Sequence, residues 1–270
     1  MKARLAAVVF SVLPLCVFGN IQVVRLDKSP YNERVIIHRM YTERDVLGGR
    51  DNPLVMQVVD FPLGVFLASK PNGFRGLREY GTGSTILVWV YAPDGTQKRF
   101  YIYKQDAPPF VEPRTYFKEN YRKAFTDSDG IPHGKVVVIA ILVNSYGESI
   151  KAYNAQKTLV VDYGEKSGEN SFVEGLDRPY LIYNEPYGTF RKGDPIILDF
   201  YVENVSLGRD AYSVEVFVDG KKEDTVYEWA PYKMIGFSSG RHEVEIVLRD
   251  PDGKVVKQPF GPQKNTIRVR

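Results

Sequence analysis

The chain has 270 residues, of which 36 are Lys or Arg and 33 are Asp or Glu, so its formal net charge is +3. This balance gives no broad basic surface for nucleic acid and no polybasic membrane anchor. With three His and one Cys, the chain offers little for metal, thiol or haem chemistry. We therefore predict no nucleic-acid partner and no cofactor.

The first residues have the order of an export signal: a basic start, an apolar stretch over 5–18, and a cleavage site between Gly19 and Asn20. The apolar stretch is too short for a transmembrane helix. Two alternatives stay open: an uncleaved anchor, and lipidation at Cys16, which the bulky Leu15 disfavours. Cleavage would remove the only cysteine and leave a periplasmic or extracellular chain with no disulfide and no transmembrane segment.

Short apolar segments and glycine-containing turns follow one another along the chain, which is typical of antiparallel β-sheet. Tight turns are predicted at 93–95, 219–220 and 252–253, where glycine accepts a positive φ. The segment 114–124 is the best helical candidate, but we favour a loop or a single helical turn there. Strands are predicted at 21–26, 34–40, 54–59, 85–91, 98–104, 135–143 and 157–161, and then at 180–183, 195–203, 212–218, 224–229, 241–248 and 265–269.

The second half of the chain weakly repeats the first. The repeat predicts two domains, 20–162 and 179–270, joined by a polar linker at 163–178. Residues 20–50 have no counterpart before the second copy; we expect their strands to complete the first sheet, with an added strand for a partner as the alternative. The matched segments are 62–66 with 186–190, 80–91 with 190–201, 121–122 with 232–233, 134–147 with 240–253, and 156–157 with 263–264.

The segment 240–248 has the pattern G-x-H-x-V-x-I-x-L and is followed by D-x-D-G at 250–253. Together with the strand number and the hairpin turns, it resembles the immunoglobulin-like or fibronectin-III-like β-sandwiches of exported bacterial proteins, at superfamily level. The resemblance covers 54–162 and 179–270 and implies an all-β fold of two tandem antiparallel sandwiches. It implies no specific function, because such folds carry many functions.

Three features could carry chemistry, and each has a simpler structural interpretation. The segment 236–240 fits G-x-S-x-G around Ser238, but a strand follows where a nucleophile elbow needs a helix. The three histidines lack the spacing of metal ligands. The segment 127–130 begins like a calcium loop but lacks the later acidic ligand, so we predict an Asx-type turn. We therefore predict no catalytic residue and no metal site.

A basic, glycine-containing loop at 67–80 distinguishes the first copy from the second. It is our candidate partner-binding loop, since specialised contacts are commonly added on loops, although drift of a surface loop is the simpler explanation. The cleft between the copies is a second candidate surface. The loop residues that we assign to binding are Lys70, Phe74, Arg75, Arg78 and Tyr80.

These observations favour an exported, non-catalytic binding or structural module of a cell-envelope assembly, with protein partners. A glycan-binding module is the first alternative, with Trp89 and Trp229 as natural stacking platforms, although the strand pattern predicts that Trp89 is buried. A two-domain periplasmic chaperone is the second alternative, and it would need a basic pair in the cleft.

Overall fold

The computed structural model describes residues 20–29, 35–42, 44, 46–67, 73–103, 118–164 and 175–270. The predicted signal, including Gly19, lies outside these ranges. The described chain consists mainly of β-strands, and its helical structure is confined to two 3-10 turns, Asp127–Asp129 and Tyr153–Ala155. The first turn stands where we predict an Asx-type turn, and Gly130 closes it with φ 64°. The prediction of an all-β fold is confirmed.

The first sandwich consists of a three-stranded and a five-stranded sheet. After β1 (Gln22–Arg25), which joins the other sandwich, its strands are β2 (Ile36–Thr42), β3 (Val46–Leu47), β4 (Gly49–Val59), β5 (Thr85–Tyr91), β6 (Gln97–Ile102), β7 (Lys118–Phe125), β8 (Gly134–Val143) and β9 (Gln156–Tyr163). The sheet orders are β2-β4-β7 and β3-β9-β8-β5-β6. Paired strands are antiparallel except β3 and β9. Apolar side chains between the two sheets form one core.

The second sandwich repeats this arrangement. Its strands are β10 (Tyr180–Glu185), β11 (Thr189–Phe190), β12 (Ile196–Glu203), β13 (Ser213–Val218), β14 (Lys221–Val226), β15 (Tyr232–Ile235), β16 (Gly240–Arg249) and β17 (Gln263–Val269). One sheet has the order β10-β12-β15 with β1 added beside β15, and the other has the order β11-β17-β16-β13-β14. Strands β2 to β9 thus have counterparts β10 to β17 at the same places. Both units are sandwiches of the immunoglobulin-like and fibronectin-III-like type, which confirms the resemblance at superfamily level.

The structure supports part of the sequence repeat and corrects the rest. The matches that join β7 with β15, β8 with β16 and β9 with β17 connect equivalent strands. The match of 80–91 with 190–201 is wrong, because it joins β5 to β12, whereas the counterpart of β5 is β13. The match of 62–66 with 186–190 is also wrong, since the first segment follows β4 and the second precedes β12. Apolar strands after a glycine turn have similar sequences wherever they lie in a sandwich.

Strand β1 lies in the second sandwich although it precedes the first in the chain. It pairs antiparallel with β15, with Gln22 opposite Ile235, and Ile21 enters the core of the second sandwich. The expectation that 21–26 completes the first sheet is therefore wrong, and so is the inclusion of this strand in a first domain at 20–162. A pairing between distant parts of the chain leaves no periodic signal in a local sequence window.

The segment 114–124 is a strand wherever it is described, and not the loop or helical turn that we expect from the sequence. Strand β7 pairs with β4, and Tyr121 and Phe125 are fully buried on its inner face. Their spacing of four residues fits one face of either a helix or a strand, which explains the ambiguity of the sequence. The predicted linker at 163–178 begins at the last residue of β9, and its boundaries stay a prediction.

Candidate functional site

The second sandwich covers the outer face of the five-stranded sheet of the first. Every residue of β5 is buried, and β8 is buried from its third residue onward, although an antiparallel sheet commonly leaves one face in water. The side chains that meet there are Leu87, Trp89, Tyr91, Val137, Ile139 and Ile141 from the first sandwich and Tyr180, Ile182, Tyr201 and Phe260 from the second. The predicted cleft between the copies is therefore closed over this sheet by an apolar interface.

A buried ion pair crosses the same interface. The Lys151 ammonium lies 2.6 Å from Asp199 Oδ1, and the two side chains are 1% and 0% exposed. Lys151 also donates to Ser149 Oγ at 2.7 Å and to the Phe200 carbonyl at 2.8 Å. The Asn184 amide donates to the other Asp199 oxygen at 2.7 Å. Because Lys151 follows β8 and Asp199 lies on β12, this hydrogen-bonded network joins the two sandwiches.

Arg99 and Glu185 form a second buried pair between the sandwiches, 3.1 Å apart. The Arg99 guanidinium lies 4.0 Å from the ring centroid of Tyr187 and 5.5 Å from that of Trp89. Within the described part of the chain, its Nε and Nη1 have no hydrogen-bond acceptor, so aromatic faces stabilise the charge instead. Burial raises the pKa of the Glu185 carboxyl, and the Arg99 charge offsets part of that rise.

The predicted partner-binding loop is described from residue 73 onward, and it contacts the second sandwich. Phe74 is fully buried and meets Tyr146 edge-on, with ring centroids 5.3 Å apart. Leu26, Leu77 and Ile197 complete this small apolar cluster. Phe74 is thus an interface residue inside the protein and is not available to an external partner. Lys70 lies outside the described residues.

Two other residues of this loop bridge the sandwiches near the surface. Arg78 donates to the carbonyls of Thr189 and Tyr187 at 3.3 and 3.4 Å, and to the Tyr80 hydroxyl at 2.7 Å. Burial raises the pKa of Tyr80 to about 12, so its hydroxyl stays protonated at neutral pH. Arg75 is exposed to solvent. The structure therefore brings Arg78 and Tyr80 to the junction and leaves Arg75 on the surface.

A buried carboxyl anchors the segment that follows β1. The Ser29 backbone N–H donates to Glu148 Oε1 at 3.0 Å, and the Asn144 amide donates to Oε2 at 2.6 Å. Burial raises the pKa of Glu148 to about 7, and the charge of Lys151 opposes that rise. The sequence contains no signal for this role, because Glu and Lys in loops are mostly solvated.

The G-x-S-x-G segment lies in the turn before strand β16, yet two other residues approach its serine. His242 Nδ1 lies 2.7 Å from Asp219 Oδ2, and His242 Nε2 lies 3.4 Å from Ser238 Oγ. Nε2 is closer, at 2.9 Å, to the carbonyl oxygen of Ser238. The contact of Nε2 with the serine carbonyl is thus shorter than its contact with Oγ, and the segment after the serine is a strand, where a nucleophile elbow has a helix. The cluster ties the β13–β14 hairpin to β16 and fits a structural role.

Across the described ranges, no group of three or more His, Cys, Asp or Glu side chains could hold a metal ion. His133 is an exposed residue 3.5 Å from Asp127, and His38 is exposed on β2. None of the helices in that same part of the chain has the length and apolar character needed to span a membrane.

No protein-family model matches the chain, and no curated protein sequence matches it either. Among solved structures, the fibronectin(III)-like modules of Clostridium thermocellum CbhA align over 34% of this chain and 96% of theirs, with 16% identity and a TM-score of 0.28. SGBP-B of the Bacteroides ovatus mixed-linkage glucan utilization locus, in complex with a mixed-linkage heptasaccharide, aligns over 84% of this chain with 10% identity and a TM-score of 0.22. A tetra-tandem repeat from the extending region of a large adhesion protein aligns over 92%, with 11% identity and a TM-score of 0.25.

The chain spans less than half of the last two structures, 43% and 48% of their lengths. Because the TM-scores are low, the fold assignment depends on the strand order of the molecule itself. That order defines two immunoglobulin-like or fibronectin-III-like sandwiches, joined through the covered sheet.

Proposed function

We propose that the chain is an exported, non-catalytic module that binds or spaces protein partners in a cell-envelope assembly. The observation that carries this proposal is the interface in which the second sandwich buries the outer sheet face of the first. Domains with a small interface move relative to one another. A large apolar interface with two buried ion pairs instead holds both ends of the molecule at a fixed distance and angle, which suits a spacer or a docking platform.

Export is supported by the charge and apolar pattern of residues 1–19 and by the position of Asn20. Cleavage after Gly19 would leave Asn20 as the first residue, two positions before β1. Asn20 is exposed, and its side-chain oxygen accepts a hydrogen bond from Lys221 at 3.3 Å. A leader could therefore be removed at the surface of the second sandwich without disturbing either core.

The surface that we assign to a partner lies on the connection between β4 and β5, residues 60–84. Its adjacent apolar side chains Val65 and Phe66 are 40% and 48% exposed, and Arg75 is exposed on the same connection. The second sandwich has only the shorter connection 204–212 at the equivalent place. Exposed apolar residues on a connection that is much longer in one copy support a contact specific to that copy.

Affinity capture tests this function. Protein beginning at Asn20 is immobilised and incubated with solubilised envelope from its own source cells, beside the variants Phe66→Ser and Val255→Ser. Val255 is 59% exposed on the second sandwich and provides the matched control. We expect a specific protein to be retained by the wild type and by Val255→Ser and to be lost from Phe66→Ser. Retention of no specific protein by the wild type would contradict the proposal.

The two alternative functions have less support. A chaperone would need a free basic pair in the cleft, but the two basic side chains inside the closed interface, Arg99 and Lys151, are buried against carboxylates. Trp89 is only 5% exposed, and Trp229 contacts Tyr201 with ring centroids 5.1 Å apart. Trp89 therefore offers no free face for a sugar ring, and Trp229 is half-buried and flanked by Tyr201 and Tyr153.

A further inference from the structure

A basic groove lies at the edge of the closed interface, where the predicted loop of the first sandwich meets the second. It has a volume of about 400 Å³. Arg78 comes from the first sandwich, and Arg191 and Arg270 directly follow the parallel strands β11 and β17 at the same end of that pair in the second. The remaining lining residues are Thr189, Phe190, Asp194 and Pro195. Three arginines and one acidic residue thus line the groove.

The fixed member of this group is Arg78. Its guanidinium lies 4.5 Å from the ring centroid of Tyr80 and 4.8 Å from that of Phe190, and it donates to the carbonyls of Tyr187 and Thr189. Since a guanidinium has five N–H donors, these contacts orient the group and still leave donors for a ligand.

The other two arginines are free to bind. Arg191 and Arg270 are exposed, and among the described residues no side-chain carboxylate forms an ion pair with either of them. Solvent-exposed arginines without counter-ions, gathered beside an oriented third arginine, produce a local positive potential. The net charge of the whole chain is only +3, so this potential belongs to the groove and not to the surface in general.

The edge of the sheet at this groove is closed to strand addition. β11 is the edge strand of its sheet, and Arg78 occupies the carbonyls of Tyr187 and Thr189 on the side away from β17. An extended peptide therefore finds these backbone acceptors taken, although strand addition depends on such main-chain hydrogen bonds. The groups left for recognition are the guanidiniums, whose planar donors match carboxylate and phosphate.

We propose that this groove binds an anionic polysaccharide through its carboxylate or phosphate groups. The proposal goes beyond the proposed function, because it adds an anionic polysaccharide to the protein partners proposed above; export would bring the chain into contact with such polymers. It also gives the rigid junction a role, since the three arginines line one groove only while the two sandwiches are held together. A nucleic acid or a membrane would need a broader basic surface than this chain has.

Binding is measured by calorimetry on the protein beginning at Asn20, with polygalacturonate as the carboxylate polymer and a phosphomannan as the phosphate polymer. Fully methyl-esterified polygalacturonate is the uncharged control, and poly-L-glutamate is the peptide control. The test variant is Arg191→Glu/Arg270→Glu, which spares the interface contacts of Arg78. The charge control is Lys257→Glu. Lys257 is exposed and precedes β17, so it lies near the end of that strand that is away from the groove.

We expect one of the two anionic polysaccharides to bind and the methyl ester not to bind. The double variant should bind about a hundredfold more weakly, because it removes two charge-assisted contacts and each contributes about tenfold, and Lys257→Glu should bind like the wild type. Absence of binding to both anionic polymers, equal affinity of the double variant, or tighter binding of poly-L-glutamate would overturn the proposal. None of these outcomes depends on Phe66 or on an envelope protein, so the capture experiment is judged separately.

Discussion

Replacing Lys151 by Met should destabilise the protein by about 3–5 kcal/mol, because the Asp199 carboxylate would stay buried without its counter-ion. The ammonium makes three contacts of 2.6–2.8 Å and is 1% exposed, so water cannot easily replace it. The free energy of unfolding is measured by urea titration and followed by tryptophan fluorescence. Trp89 and Trp229 are the two tryptophans of the chain and lie in different sandwiches, so both sandwiches are observed at once.

The double variant Lys151→Met/Asp199→Asn is the control. It removes both charges and keeps an oxygen that can accept from the Ser149 N–H and the Asn184 amide, so most of the lost stability should return. A loss below about 1 kcal/mol for Lys151→Met is typical of a solvated ion pair and would refute the account of a dry interface. Two separate transitions, with only one of them shifted, would refute the coupling of the sandwiches.

Three other changes test the same junction. Phe74→Ala should cost about 3–5 kcal/mol in the urea titration, whereas Arg75→Ala on the exposed side should change stability by less than about 0.5 kcal/mol. Leu26→Asp should release β1 and increase hydrogen exchange along β15, while Val24→Asp, at a position 38% exposed, should not; equal exchange in both would contradict the docking of β1. Burial raises the pKa of Glu148 from 4.5 in the unfolded chain to about 7 in the folded protein. The protonated carboxyl therefore stabilises the fold fully below pH 4.5, and this stabilisation is lost as the pH rises through about 7. Because Glu148→Gln does not titrate, its free energy of unfolding relative to the wild type should rise by about 3 kcal/mol between about pH 4 and about pH 8, and a pH-independent difference would contradict this.

The strands that the sequence predicts well are those whose pattern is local. β5 and β13 each begin near a glycine turn and carry apolar side chains over their whole length or on alternate positions, so a short window suffices. The partner of β1 lies near the other end of the chain, and no window contains both strands. The sequence also matches β5 with the wrong strand of the second copy, because β12 is as apolar as β5. Local spacing predicts where the strands lie, whereas contacts between distant parts of the chain decide which strands pair.

The candidate site likewise contains some features that the sequence predicts and others that depend on tertiary packing. The basic loop is visible as an excess of Arg and Gly in one copy, and Arg78 does meet the second sandwich there. Its place in one groove with Arg191 could not be predicted, since it depends on how the two sandwiches pack. Phe74 suggests an exposed anchor in the sequence, but it is covered by Leu26 and Ile197 from elsewhere in the chain. Lys151 is typical of a solvated loop residue in the sequence, and only the fold places it beside a buried carboxylate.

The most direct test of the central claim, that the two sandwiches form one rigid body, is a distance distribution between spin labels placed on each of them. The single cysteine of the chain lies within the predicted signal, so a protein beginning at Asn20 with Tyr41→Cys and Val255→Cys carries two unique labels at exposed positions. The control pair, Lys221→Cys and Val255→Cys, lies within the second sandwich. Its distance distribution has the width that motion of the labels alone produces. We predict one narrow distribution, as narrow as that of the control pair. A broad or bimodal distribution between the sandwiches would contradict the account.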